Sequence, residues 1–245
     1  MKFQAPEGEV EAIRKISFTI EPGEFVSIVG PSGCGKSTVL NIISGLNKPS
    51  CGDVIVSGKF AYMLQRDHLF EWRTIINNCM LGPEVQGINQ KAAMGNLIRL
   101  FKTYDLEDFM HHYPNQLSGG MRQRAALIRT LAIDPDIMLL DEAFSALDYQ
   151  TRLTVVDEVW SILKQENKTA LIVTHDIAEA ISMSDRIIVL THRPAEVRNI
   201  FEIQFAQHGR TPFENRQDPL FPAYFNDIWK ELNNGNKTSA VTREN

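Results

Sequence analysis

Apolar residues follow two different rhythms along this chain. Near the start, Ile16, Phe18 and Ile20 alternate with polar neighbours, the period of a half-buried strand. Phe25-Val26-Ser27-Ile28-Val29 is an almost unbroken apolar run, as expected of a strand buried on both faces, and it leads directly into glycines. A helical pattern then runs from Lys36 to Ile43 and stops at Gly45. Pro49-Ser50-Cys51-Gly52 is turn chemistry, and Asp53–Ser57 and Lys59–Gln65 read as two further strands joined through Gly58. From about Asp67 to Leu131 the period becomes helical, with Leu97, Leu100, Phe101 and Tyr104 on one face. Strands return at Ile137–Asp141, Ala170–Thr174 and Arg186–Leu190. Between the first two, Leu153, Val156, Trp160 and Leu163 form one helical stripe. After about Ile200 the pattern is less regular, apart from an amphipathic segment at Phe221–Leu232.

Strands alternating with helices predict an α/β fold with a mainly parallel, doubly wound sheet, interrupted by a helical insertion. The 245 residues suffice for one such domain or two small ones. Composition changes this picture little: 43% of residues are apolar and 22% charged, as in ordinary globular proteins. The formal net charge of −5, with no cluster of Lys and Arg, argues against a nucleic-acid partner. Three cysteines, Cys34, Cys51 and Cys79, make no C-x-x-C pair, which argues against a disulfide framework or a structural zinc. The apolar runs are too short to span a bilayer and the first residues carry no secretory pattern, so a soluble intracellular protein is expected. A role at a membrane would need another chain to supply the spans.

The chemistry begins at Gly30-Pro31-Ser32-Gly33-Cys34-Gly35-Lys36-Ser37, followed by Thr38. This is G-x-x-x-x-G-K-[ST] between a buried strand and a helix, the setting in which the pattern means a phosphate loop. Its glycines let backbone N–H groups surround an anion, and the helix N-terminus adds a positive dipole end. Lys36 is placed to reach the β- and γ-phosphates of a nucleotide and Ser37 to ligate Mg²⁺. Cys34 reads as a small side chain that fits the loop. The apolar strand Ile137–Asp141 ends in Asp141-Glu142, a candidate Mg²⁺ carboxylate and a candidate general base. A single carboxylate there could be a solvated turn; beside a phosphate loop the pair points to nucleotide hydrolysis.

Leu117-Ser118-Gly119-Gly120-Met121-Arg122-Gln123-Arg124, ahead of a long helix, resembles the signature of the ATP-binding-cassette (ABC) family. Locally, Ser118 also reads as an N-cap. The resemblance covers roughly residues 8 to 205. It implies a P-loop NTPase fold with a small antiparallel β-subdomain, ATP and Mg²⁺ as cofactors, and ATP hydrolysis driving a separate transmembrane permease. It further implies that Ser118, Gly119 and Gly120 contact the γ-phosphate held by a second copy or paralogue. Gln65 resembles the glutamine that touches Mg²⁺ and the attacking water, His175 the histidine that contacts the γ-phosphate, and Asp148, in Ser145-Ala146-Leu147-Asp148, the loop crossing between subunits. The expected Mg²⁺ set is Ser37, Gln65 and Asp141. Phe3 is the one candidate for the adenine-stacking aromatic.

On this resemblance residues 1–235 form a single domain. Residues 1–66 and 131–205 make the nucleotide-binding core with its β-subdomain, 67–130 the helical subdomain with the signature loop, and 206–235 a C-terminal extension. Residues 236–245 read as a disordered tail. The short stretch Gly52–Gln65 implies a trimmed β-subdomain. Gln65-Arg66-Asp67-His68-Leu69-Phe70-Glu71-Trp72-Arg73-Thr74 is similar to importers of nitrate, taurine and alkyl sulfonates; the plain alternative makes Trp72 a core residue. The implied partners are a second ATPase subunit, the permease and, indirectly, an extracytoplasmic solute-binding protein, with the chain on the cytoplasmic face of the membrane. A soluble, non-transport cassette ATPase would share every motif.

Overall fold

The computed structural model describes residues 1–5, 8–205 and 210–234. Its strands are β1 (Lys2–Ala5), β2 (Gly8–Glu11), β3 (Ile13–Lys15), β4 (Phe25–Val29), β5 (Phe60–Met63), β6 (Ile137–Asp141), β7 (Thr169–Val173), β8 (Arg186–Leu190) and β9 (Ala195–Glu202). Its α-helices are α1 (Lys36–Ile43), α2 (Ile75–Val85), α3 (Gln90–Thr103), α4 (Gly119–Leu131), α5 (Tyr149–Gln165), α6 (Ile177–Met183), α7 (Pro212–Asn215) and α8 (Phe221–Asn234). The chain folds as two compact units, one built from residues 1–57 and 160–245, the other from residues 58–159.

In the first unit the strands lie in the order β3-β9-β8-β4-β7. β4 pairs in parallel with both β7 and β8, whereas β8 and β9 are antiparallel. Every residue of β4 and of β7 is buried, which is why these segments read as continuous apolar runs. β1 and β2 form a separate antiparallel hairpin, the small β-subdomain element among the described residues. The amphipathic α8 seals an edge of this core: Ile228 is fully buried with Ile181, Ile187 and Val189, and Tyr224, Phe225 and Leu232 pack against them. The tail beyond Asn234 lies outside the described residues.

In the second unit β5 and β6 pair in parallel, with Tyr62 beside Leu139. α4 packs against β5, α2 and α3 pack on α4, and the predicted stripe on α3 is buried as Leu97, Leu100 and Phe101, with Tyr104 at its C-cap.

Two predicted strands do not form. Ile16–Ile20 has no regular structure, because the paired segment ends at Lys15. Asp53–Ser57 is likewise irregular and leaves Ile55 92% exposed: its alternation is sound, but no described strand pairs with it. The strand β9, by contrast, follows the Arg193-Pro194 turn and was not expected, because its mixture of charged and apolar residues carries no clean period of two.

Candidate functional site

In the first unit, the fully buried β4 ends at Gly30, where space is tight. A Cβ there would stand 2.9 Å from the Cys34 sulfur and 3.1 Å from Leu190 Cβ. Gly33 and Gly35 take φ values of 72° and 118°, which side chains disfavour, and this curls the loop back toward α1. α1 begins at Lys36 with Gly35 as N-cap, without a side-chain cap or an acidic residue in its first turn. Its leading N–H groups are therefore not committed to a cap side chain, as an anion site requires. The Lys36 ammonium is buried and donates to the carbonyl oxygens of Gly30 at 2.8 Å and Pro31 at 3.2 Å. Ser37 and Ser32 are exposed, and Thr38 is half-buried. Cys34 is buried, and that burial pushes its thiol upward against the opposing pull of Lys36, so it is no activated nucleophile. His175 follows β7 and is exposed; the next residue, Asp176, caps α6 by accepting the Glu179 N–H at 3.1 Å. The backbone of Phe3 pairs with Val10 in β1, but its side chain lies outside the described residues.

In the second unit, β6 delivers Asp141 and Glu142. Asp141 is only 8% exposed, and its Oδ2 accepts the Tyr62 hydroxyl at 3.1 Å. Burial, then the Asp141 charge, push the Tyr62 phenol upward, so it stays a donor. Glu142 departs from the strand with a φ of 47°, the left-handed region, which turns the chain sharply. Its Oε2 accepts the side-chain amide of Gln65 at 3.1 Å. The segment after Gln65 is pinned to α4: Arg122 pairs with the Asp67 carboxylate at 3.2 Å, and Arg129 donates to the Asp67 and His68 carbonyls.

The signature loop opens α4. Ser118 is the N-cap and its hydroxyl accepts the Met121 N–H at 3.3 Å. A Cβ at Gly120 would stand 2.9 Å from the Thr151 methyl, so α4 and the start of α5 approach closely at this glycine. Gln123 is buried and donates its amide to the Ala143 carbonyl, tying α4 to the turn after Glu142. Arg152 shapes the next turn by donating to the carbonyls of Leu147, at 2.9 Å, and Ser145. Asp148 is exposed and accepts the Thr151 N–H at 3.1 Å; hydrogen bonds from Thr151 hold its carboxyl below the usual range. Trp72 is 74% exposed, its ring tilted against Phe70 at 4.9 Å between centroids, which goes against the alternative that made it a core residue. Tyr62 and Arg152 were not singled out from sequence, because the partner of Tyr62 is set by strand register and those of Arg152 by the fold of the turn after Ser145.

A family model described as ABC transporter matches residues 13–145, more than half of the chain. The chain belongs to the ABC transporter family. It is 46% identical, over 91% of its length and 88% of the relative's, to the uncharacterized ABC transporter ATP-binding protein YtlC of Bacillus subtilis (strain 168). It is 36% identical to the taurine import ATP-binding protein TauB of Roseobacter denitrificans, over 85% of this chain and 81% of that one. Among solved structures it resembles the dimeric post-hydrolysis state of the ATP-binding cassette MJ0796 bound to ADP and Pi, with 32% identity, a TM-score of 0.73, and coverage of 83% of this chain and 95% of that one. The phosphate-loop α/β fold expected of an ABC ATPase is therefore the fold of this chain. No helix among the described residues is long and apolar enough to cross a membrane.

Proposed function

We propose that this ABC ATPase drives import of small anionic or zwitterionic solutes of the nitrate, taurine and alkyl-sulfonate class. The observation that carries the reading is the coupled acidic end of β6, with buried Asp141 held by Tyr62 and Glu142 held by Gln65, on a chain similar to importer ATP-binding proteins.

In this reading the glycine loop and Lys36 bind the phosphates of ATP, each with a charge-assisted contact. Ser37, Gln65 and Asp141 offer a hydroxyl, an amide oxygen and a carboxylate, a hard oxygen set that suits Mg²⁺ completed by phosphate oxygens. Bound there, Mg²⁺ would neutralise charge on the phosphate oxygens. Glu142 polarises the attacking water, a contribution of about 10²–10⁴ in rate. His175 contacts the γ-phosphate. Ser118, Gly119 and Gly120 belong to the ATP held by a second cassette, and Asp148 to the turn that meets it, so two chains complete two sites. ATP closes the pair, hydrolysis reopens it, and the helical subdomain passes the motion to a separate transmembrane permease on the cytoplasmic face. An extracytoplasmic binding protein supplies the solute.

The test is Glu142→Gln together with recovery of the tagged chain from detergent-solubilised native membranes. The variant should bind ATP, lose at least about 10²-fold in turnover, and accumulate as an ATP-bound dimer. The wild-type chain should bring down a multi-span partner in stoichiometric amount. Turnover at the wild-type rate in Glu142→Gln removes that residue from its role. Recovery without a membrane partner would instead indicate a non-transport ATPase.

A further inference from the structure

β5 and β6 run parallel with Tyr62 opposite Leu139. Paired residues share a face of the sheet, and so do residues two apart on one strand, so Tyr62, Leu139 and Asp141 lie on the same side. Asp141 is thus the diagonal neighbour of Tyr62, two residues further along the partner strand, a separation that a long side chain is needed to cross. The tyrosine spans it: its hydroxyl lies 3.1 Å from Asp141 Oδ2. Among the described residues, the two are linked in the part of the site where a carboxylate's orientation matters most. A carboxylate offers acceptor positions on both oxygens, and a hydroxyl that donates to one of them fixes the plane of the group.

We propose that Tyr62 is a positioning residue for the metal-dependent step: its hydroxyl holds Oδ2 of Asp141 and so fixes the orientation in which the carboxylate would meet Mg²⁺. The assignment rests on the reading of Asp141 as a Mg²⁺ ligand. Outer partners of this kind orient metal-bound carboxylates, and their loss typically costs about 10–100-fold in metal affinity or activity. Tyr62 acts through Asp141 and touches neither water nor phosphate in this account.

Tyr62→Phe removes one oxygen and keeps the aromatic ring. ATP affinity is measured by calorimetry in EDTA and again across a Mg²⁺ titration, and the Mg²⁺ concentration giving half-maximal ATP hydrolysis is measured alongside. The expected result is unchanged affinity for ATP in EDTA with a Mg²⁺ half-saturation raised by about 10-fold. In an Asp141→Asn background, Tyr62→Phe should add nothing further to the Mg²⁺ half-saturation, the non-additivity expected of one coupled pair. Tyr62→His keeps a ring-borne N–H donor and should recover part of the Mg²⁺ response, so the assignment stays testable even if the phenylalanine variant folds poorly. A Mg²⁺ half-saturation equal to wild type, or an equal loss of ATP affinity with and without Mg²⁺, overturns the assignment. If the wild-type chain shows no Mg²⁺-dependent hydrolysis, the functional reading itself fails; if it does and Tyr62→Phe matches it, only the role of Tyr62 falls.

Discussion

Adding a single methyl group at Gly30 tests how the phosphate loop is held. Alanine at this position would place its Cβ 2.9 Å from the Cys34 sulfur, 3.1 Å from Leu190 Cβ and 3.4 Å from the Leu190 carbonyl oxygen. The two Leu190 atoms belong to or adjoin the backbone of a buried strand and have no rotamer to escape into. The sulfur is the one neighbour able to turn, but Cys34 is buried and has little room to do so. Overpacking of this kind costs about 1–3 kcal/mol, which for a chain of this size is a melting temperature lower by roughly 4–8 °C at the middle of that range. Because Lys36 donates to the Gly30 carbonyl, displacement of the loop also moves the ammonium, and ATP affinity should fall with stability. Cys34→Ala removes the nearest clash, so the double variant Gly30→Ala/Cys34→Ala should be more stable than the sum of the single changes by about 0.5–3 kcal/mol. Gly33→Ala is the control: nothing lies within 4 Å of its added Cβ, and its cost comes from a φ of 72°, so Cys34→Ala should not relieve it. Thermal melts followed by circular dichroism, with calorimetric ATP titrations, give both readings. If Gly30→Ala melts with the wild type, or the double variant is strictly additive, the packing argument is wrong.

Lys36→Ala should weaken ATP binding as well as turnover, because it removes the one buried cation of the loop; calorimetry showing wild-type affinity would contradict the role given to the lysine. Leu97→Ala empties a fully buried position on α3 and should cost about 2–5 kcal/mol in chemical denaturation, while a neutral result would mean the α3 stripe is not a packing surface. Cys79 is fully buried, and burial pushes its thiol from 9.0 up to about 12. Its folded value lies above its unfolded one, so its contribution is complete below pH 9 and lost as pH rises toward 12. Across that window wild type should lose about 1.4 kcal/mol per pH unit relative to Cys79→Ala, read from paired denaturation curves. In the native chain a thiol reagent at pH 8 should modify exposed Cys51 and spare Cys34 and Cys79, and rapid labelling of all three would show that the buried pair is accessible.

Much of the architecture could be read from the residues because local and global preferences agree there. The phosphate loop announces itself by glycines at the positions where the backbone turns left-handed, and α1 occupies the predicted span from Lys36 to Ile43. β6 ends at Asp141, and the α3 stripe is buried as its spacing required. What could not be read depends on partners remote in sequence. Asp53–Ser57 has strand-like alternation, yet a strand exists only if another strand offers hydrogen bonds. β9 shows the converse: Ala195–Glu202 has no clear period, but β3 on one side and β8 on the other impose extended structure. The bond from Tyr62 to Asp141 spans 79 positions of sequence and follows from register, which no local pattern reveals. The same is true of Gln65 with Glu142.

The left-handed backbone at Glu142 sets function against endurance. For a residue with a Cβ this conformation costs about 1–2 kcal/mol, and glycine or asparagine adopts it more readily. A library of variants ranked only by heat tolerance would therefore tend to enrich glycine or asparagine at position 142 and discard the carboxylate assigned to the attacking water. Enduring heat and turning over ATP are opposed demands at this residue, and a selection scheme for robust versions of the chain must score hydrolysis alongside survival or it will return sturdy, inert proteins.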